Sequence, residues 1–74
     1  MFKTTRGLVL REVRYKEADR ILTVLTEDMG KMTVKARGAL RKGSKIAAAT
    51  QFLVFSELTM LERSGFWTVS EGST

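Results

Sequence analysis

The sequence of 74 residues contains no cysteine, no histidine and no proline. Without cysteine, neither a disulfide nor a thiolate metal site is available, and a chain of this length buries only roughly 60% of its unfolded surface. Without histidine, the chain lacks the usual general base and the commonest metal ligand. Most hydrolases and metalloenzymes are therefore excluded, or would have to use carboxylates and lysines alone. We expect no metal, no cofactor and no catalytic activity.

Long apolar segments are also absent. The longest runs, such as residues 52–55, have four apolar residues, whereas a membrane-spanning helix needs about 20. Lys3 and Arg6 lie near the N-terminus, but no apolar segment follows them, so a secretory signal is not indicated. We expect a cytoplasmic protein, in agreement with the lack of cysteine.

Acidic residues are too few to balance the basic ones, and the excess is local. Residues 1–45 carry twelve Lys/Arg and five Asp/Glu, whereas residues 46–74 carry one and three, for a net charge of +5. Residues 31–45 alone hold six basic residues and no acid. Such a concentration is typical of a surface that binds a polyanion. A solvated surface is the alternative, but it would leave the charges repelling one another in a very small domain.

The hydrophobic pattern is that of β-strands. In residues 31–37, Met32, Val34 and Ala36 alternate with polar residues, which gives a strand with one apolar and one cationic face. The first strand contains Gly7 and is expected to bend. Alternation slips near Ser56, which predicts a bulge. Turn residues occupy 15–20, 27–30 and 64–65, and the predicted strands cover residues 5–13, 21–26, 31–37, 52–63 and 66–71.

A basic loop, residues 38–45, separates the third and fourth strands. The segment I-A-A-A-T-Q that follows, residues 46–51, is the only one of helical composition, and it is long enough for one or two turns. Five strands with an insertion at this point are the element order of the OB-fold, a small Greek-key barrel. Closure of the sheet would also remove its open edges. We predict an all-β OB-fold barrel, with an SH3-like barrel as the alternative.

Two motifs resemble catalytic or metal sites but have simpler explanations. Residues 38–45, G-A-L-R-K-G-S-K, nearly match the phosphate-binding loop. In that loop the lysine directly follows the second glycine, and a helix follows the loop. Here Ser44 stands between Gly43 and Lys45, and residues 46–51 are too short for such a helix. In the cluster Glu17, Asp19 and Arg20, the two acids lie two residues apart in a loop and could bind a cation. We interpret them instead as a turn in which Asp19 accepts backbone hydrogen bonds and Arg20 pairs with an acid.

The six aromatic residues could fill the core or stack on nucleic-acid bases. Proteins that bind single strands combine a positive groove with exposed rings. Because a barrel this small needs its own aromatic residues, we assign Phe52, Phe55 and one of Phe66 and Trp67 to the core. Tyr15 lies in a polar segment, so it is the ring that we expect to be exposed.

Several short motifs follow one another along the chain. They are the opening x-x-G-[ILV]-V-L-R, the connection E-A-D-R-I-L-T, the turn T-E-x-x-G-K, the run A-R-G-A into the basic loop, S-K-[IL]-x-A-A, and a Gly-aromatic fifth strand. Together they resemble the N-terminal domain of the RecO family of bacterial recombination mediators. The resemblance covers nearly the whole chain. One departure is Gln51-Phe52, since the family often has a proline after the glutamine.

The resemblance implies that residues 1–74 are the isolated N-terminal OB-fold of a longer protein, without the helical domain that follows it in the family. It implies binding of single- and double-stranded DNA and promotion of strand annealing. With RecR and single-stranded DNA-binding protein, the family assists RecA loading in DNA repair, in the bacterial cytoplasm and at the nucleoid. The alternative function is a protein-interaction module whose basic face docks an acidic partner.

The resemblance also points to the residues that would bind DNA. The family's basic strand and loop fall by position on Lys31, Lys35, Arg37, Arg41, Lys42 and Lys45. Further members of the surface would be Arg11, Arg14 and Arg20, with Tyr15 as the exposed ring.

The turn E-D-M-G at residues 27–30 yields a first prediction. Gly30 is expected to have a positive φ, which costs a residue with a Cβ about 1 kcal/mol or more. The substitution Gly30→Val should therefore clearly lower the melting temperature in a thermal unfolding experiment. An unchanged melting temperature would mean that the turn lies elsewhere.

Overall fold

The computed structural model describes residues 1–74 as five strands that close into a barrel. The neighbours around the barrel are β1, β2, β3, β5 and β4, and β4 pairs back with β1. All pairs are antiparallel except β3 with β5. The prediction of an all-β OB-fold is confirmed. The strands are β1 (Phe2–Tyr15), β2 (Asp19–Thr26), β3 (Gly30–Ala36), β4 (Phe55–Arg63) and β5 (Phe66–Ser73).

Strand β1 is longer than predicted because it serves two neighbours. Residues 2–8 pair with β4, and residues 7–15 pair with β2. The change of partner falls at Gly7, where an added Cβ would lie 2.6 Å from Cγ1 of Val24. Glycine is therefore required for β1 to pass this close to β2.

Both predicted hairpin turns are present. Gly30 has a φ of 69°, and the hydroxyl of Thr26 accepts a hydrogen bond from the Met29 amide while donating one to the Gly30 carbonyl. Ser64 and Gly65 both have positive φ, at 51° and 81°. Two successive positive φ values match the right-handed twist of an antiparallel hairpin.

The core is aliphatic. Strand alternation and the segment between β3 and β4 bring eleven buried apolar residues together, and Met29, Met32 and Trp67 pack against them. No helix of the chain is long and apolar enough to cross a membrane. The buried residues are Val9, Leu22, Val24, Val34, Ala36, Ala39, Ile46, Ala49, Leu58, Met60 and Val69.

The assignment of phenylalanines to the core was wrong. Phe52 is 56% exposed and Phe55 is 52% exposed. Of the other pair, Trp67 packs on the core, as one of the two was expected to, while Phe66 is 77% exposed. The cause is the register of β4, in which Ser56 is buried and Phe55 consequently faces outward.

Strand β4 begins three residues later than predicted and has no bulge at Ser56. Leu53 has a positive φ of 64°, so residues 51–54 form a turn before the strand. The hydroxyl of Ser56 donates to the Ala49 carbonyl at 3.0 Å, which satisfies a buried polar side chain within an otherwise regular alternation. The register shift lies instead between Thr59 and Met60, where β5 contributes the extra residue.

The segment at residues 46–50 packs against the barrel without forming a helix. It is a series of turns, with one backbone hydrogen bond of 3.2 Å from the Thr50 amide to the Ile46 carbonyl. The segment adds Ile46 and Ala49 to the buried core. The segment lies close to β5, since a Cβ added to Gly72 of β5 would lie 2.6 Å from Cβ of Ala49.

Arg20 fastens this segment to the barrel. Its Nη1 donates to the carbonyl of Ala47 at 3.1 Å and to the hydroxyl of Thr50 at 3.0 Å. Its Nε lies 3.2 Å from Oε2 of Glu12 on β1, an ion pair in which the N–H is not aligned for a hydrogen bond. The residue is only 8% exposed, so its charge is largely removed from water.

Loss of this buried cation should destabilise the barrel. Because Arg20→Gln leaves Glu12 without its partner, the free energy of unfolding should fall by about 3 kcal/mol, as for other broken buried ion pairs. The matched control is Arg14→Gln, since Arg14 lies directly opposite on β1 and is exposed; its effect should stay within about 0.5 kcal/mol. Urea denaturation measures the free energy of unfolding of both variants. Equal losses would refute the role of Arg20 in holding residues 46–50 against the barrel.

Asp28 makes stability depend on pH at the β2–β3 turn. The hydroxyl of Thr5 donates to one carboxylate oxygen, and Nζ of Lys3 lies 2.9 Å from the other. These hydrogen bonds, the Thr5 one foremost, hold the pKa of Asp28 below its ordinary value of 3.8. A depressed folded pKa means that the stabilisation is present above the unfolded pKa and is lost as pH falls through the folded one.

The variant Asp28→Asn should therefore be less stable than the parent at about pH 7, and the difference in stability should shrink as the pH falls below about 4. Urea denaturation across this range measures the difference. A difference that stays constant down to the lowest pH would show that the ionised carboxylate contributes nothing.

Candidate nucleic-acid interface

Basic side chains from three parts of the chain meet at one end of the barrel. They surround an open depression of about 770 Å³, formed by the β1–β2 turn, the outer face of β3 and the start of the basic loop. Four lining residues are basic and two are acidic, so the charge of the lining is positive. We call this site the basic depression; it is lined by Lys16, Glu17, Ala18, Asp19, Lys35, Arg37, Gly38, Arg41 and Thr68.

Strand alternation places Lys35 in the basic depression. Val34 and Ala36 point into the core, so Lys35 between them points outward. It pairs with Ile21 on β2 and with Thr68 on β5, close to the end of β3. The cationic face predicted for this strand is confirmed.

The β1–β2 turn holds the start of the basic loop in place. The Gly38 amide donates to the carboxylate of Asp19 at 2.7 Å, and the Leu40 amide donates to the Ala18 carbonyl at 2.8 Å. Gly38 has a φ of 68°, and its amide is turned toward Asp19. These bonds bring Arg37 and Arg41 beside Lys35. Asp19 thus has the structural role that we assigned to it, as an acceptor of backbone hydrogen bonds.

Tyr15 stands at the edge of the basic depression as the last residue of β1. The residue is 41% exposed, which confirms the expected exposure. Two ammonium groups face the ring, with Nζ of Lys16 5.4 Å and Nζ of Lys35 5.3 Å from the ring centroid. Sequence reasoning missed Lys16. Its only signal was adjacency to Tyr15, and its φ of 55° is not foreseeable for a lysine.

Two of the other predicted residues extend the cationic surface over the same face. Arg11 lies opposite Thr23, and Lys31 lies opposite Leu25, both at outward positions of the sheet. Lys31 is four residues from Lys35, or about 13 Å along the strand. Lys42 is exposed in the basic loop but does not line the basic depression.

Three predicted residues lie elsewhere. Arg20 is buried in its contacts with Glu12 and residues 47 and 50, so it fastens the fold and does not form part of the surface. Arg14 lies opposite Arg20 and has the opposite orientation to its neighbour Tyr15. Lys45 lines a second depression, of about 280 Å³, together with the acidic residues Glu57 and Glu71. Position within the basic segment therefore does not by itself place a side chain on this surface.

The arrangement is suited to binding anions. Lysine and arginine side chains donate hydrogen bonds to phosphate oxygens, and the basic depression has four of them around an open space. No group of three or more His, Cys, Asp or Glu side chains is placed to hold a metal ion. What the geometry supports best is contact with several phosphates of an extended polyanion.

Comparison with known proteins gives one consistent family. The model of the family described as recombination protein O, N terminal, matches residues 1–74. The DNA repair protein RecO of Halalkalibacterium halodurans is 36% identical over 72 residues, which cover 97% of this chain and 28% of that protein. That of Acetivibrio thermocellus is 39% identical over 66 residues, covering 89% and 26%. That of Heliobacterium modesticaldum is 41% identical over 66 residues, covering 89% and 24%.

The matches cover nearly all of this chain but only part of each relative. The chain is covered almost from end to end, but it spans only about a quarter of the length of these curated relatives. The similarity therefore concerns the N-terminal part of the relatives.

Proposed function

Because this chain belongs to the recombination protein O N-terminal family, we propose that it is the DNA-binding domain of a recombination mediator in DNA repair. The role in repair is that of the relatives, which are DNA repair proteins RecO. The single observation that carries the binding role is the basic depression, where Lys35, Arg37 and Arg41 converge with Lys16 on one open site.

The chemistry of the surface favours contact with the DNA backbone. Lysine and arginine on an open face contact phosphates, which fixes the position of a strand but carries no information about its sequence. Arg11 and Lys31 continue the cationic face beyond the basic depression. Binding would therefore be general for DNA, single- or double-stranded, and strongly dependent on salt.

Strand annealing would follow from the same surface without a catalytic step. Two complementary strands repel each other through their phosphates, and a cationic surface that neutralises part of this charge lets them approach. We include annealing in the proposed function on this ground. The domain would thus act by binding alone.

The remaining elements of the proposal concern a longer protein of which this barrel would be the N-terminal domain. There it would act with RecR and single-stranded DNA-binding protein to assist RecA loading, in the cytoplasm and at the nucleoid. A helical domain would follow the barrel. Its contacts with partners are not assigned to residues of this chain.

The salt dependence of binding tests the proposal. If the surface neutralises about three to five phosphates of a single strand, log affinity should fall with log salt at a slope of roughly −2 to −4, from about −0.7 per phosphate. The double variant Lys35→Ala/Arg37→Ala should weaken binding to all sequences alike and flatten the slope by about one to two units. Its melting temperature should hardly change, because both side chains lie on the outer face.

A control of equal charge is available. The double variant Lys45→Ala/Arg63→Ala also removes two positive charges, but neither residue lines the basic depression, and Lys45 lies beside Glu57 and Glu71. It should retain nearly the parental affinity and slope. If the two double variants lose equal affinity, only net charge matters. If Lys35→Ala/Arg37→Ala binds like the parent, a protein-docking role for the basic face takes the place of DNA binding.

A further inference from the structure

Tyr15 is an aromatic residue that the fold does not use for its core. Its ring lies outside the buried cluster, and 41% of the residue is exposed. Strand pairing sets it opposite Asp19, on the same outer face as Lys35. Tyr15 does not itself line the basic depression, but Asp19, Lys16 and Lys35 beside it do, so the ring lies at the edge of that site.

Two flexible cations cover the ring in the free protein. Nζ of Lys16 and Nζ of Lys35 lie 5.4 and 5.3 Å from its centroid, within the range of cation–π contacts. At an exposed site each such contact is equivalent to only about a two- to fivefold factor in an equilibrium constant. Lysine side chains are long and mobile, so neither contact fixes its ammonium group.

A nucleic-acid base competes well for the same ring. Stacking of one base on an aromatic side chain raises affinity by about five- to a hundredfold. This gain is comparable with the loss of both cation–π contacts. The displaced ammonium groups then move to the phosphates that flank the base, and this second gain makes the exchange favourable. The open space of about 770 Å³ beside the ring is within the range of about 300–1,000 Å³ for pockets that hold small molecules.

We propose that Tyr15 is the base-stacking residue of the basic depression and makes this surface prefer single-stranded DNA to duplex. This inference rests on the proposed DNA-binding function and specifies which form of DNA the site prefers. In a duplex the bases are stacked on one another and offer no free face except at the ends. Duplex DNA therefore meets only the cations, whereas a single strand meets the cations and the ring. Every base has a π-face, so the preference does not depend on sequence.

The test separates bases from phosphates. Fluorescence anisotropy is measured with three probes of equal length: oligothymidylate, an oligonucleotide with a run of abasic sites, and a blunt duplex. About 12 nucleotides suit one OB-fold, which covers roughly 4–16. The parent should bind oligothymidylate about five- to a hundredfold more tightly than the abasic strand. Tyr15→Leu should bring both to the abasic level and leave duplex affinity and the salt slope unchanged.

Two further variants serve as controls. Tyr15→Phe keeps the ring and should keep the preference, which distinguishes stacking from a role of the hydroxyl. Phe55→Leu removes a ring that is 52% exposed but lies at a separate depression, with Arg6 and Glu57, and it should leave all three affinities unchanged. The melting temperature of Tyr15→Leu should match that of the parent, since Tyr15 is outside the core.

The outcomes distinguish this inference from the proposed function. Equal affinity of the parent for oligothymidylate and the abasic strand overturns base stacking but leaves phosphate binding intact. A preference that survives in Tyr15→Leu also overturns the role of Tyr15. If none of the three probes binds, the DNA-binding function fails, and this inference fails with it.

Discussion

The buried guanidinium of Arg20 connects parts of the barrel that strand pairing leaves apart. Residues 46–50 belong to no strand and lie against β5 at Gly72. Arg20 binds two groups of that segment and the carboxylate of Glu12 on β1. A buried ion pair contributes little net stability compared with apolar packing, but it tolerates few alternative arrangements. In a chain without cysteine or histidine, this polar contact takes the place that a disulfide or a metal has in other small domains.

Asp19, the residue before Arg20, organises the basic depression in the same way. Asp19 accepts the hydrogen bond of the Gly38 amide, while Ala18 accepts that of Leu40. Asp19 and Arg20, which are adjacent at the start of β2, therefore hold the two ends of the connection between β3 and β4. Asp19 positions the part that carries arginines over the basic depression, and Arg20 positions the part that enters the core. The short motif E-A-D-R thus links the fold and the candidate site.

Much of the fold followed from the sequence because local patterns determine it. Alternation in β3 gave its cationic face, and the glycines of both hairpins gave their turns. The errors came from side chains whose environment depends on distant residues. Ser56 is buried and its hydroxyl donates a hydrogen bond to the Ala49 carbonyl, and Leu53 adopts a positive φ that its side chain does not favour. Because of these two features, β4 begins later than predicted and Phe55 faces outward.

The candidate site was predictable to a similar degree and for similar reasons. The basic residues of β3 could be placed by alternation, since a strand fixes the orientation of its side chains. Those of the loop could not, because its course depends on hydrogen bonds with a turn about twenty residues earlier in the chain. Lys45 consequently faces Glu57 and Glu71, whereas Lys16 joins the basic depression through a turn of positive φ. Arg20 was correctly expected to pair with an acid, but its burial depends on the arrival of residues 46–50.

The short contact between β3 and β5 has a consequence for the dynamics of the barrel. A seam held by two residue pairs is where local opening should require the least free energy, so its amide protons should exchange with solvent sooner than those of β1 and β2. One of these two pairs is Lys35 with Thr68, and both residues line the basic depression. A ligand in this site would therefore bridge the weakest seam of the molecule. Ligand binding and the pairing of β3 with β5 would be thermodynamically linked, so a bound ligand would suppress local opening of the barrel at its own binding site.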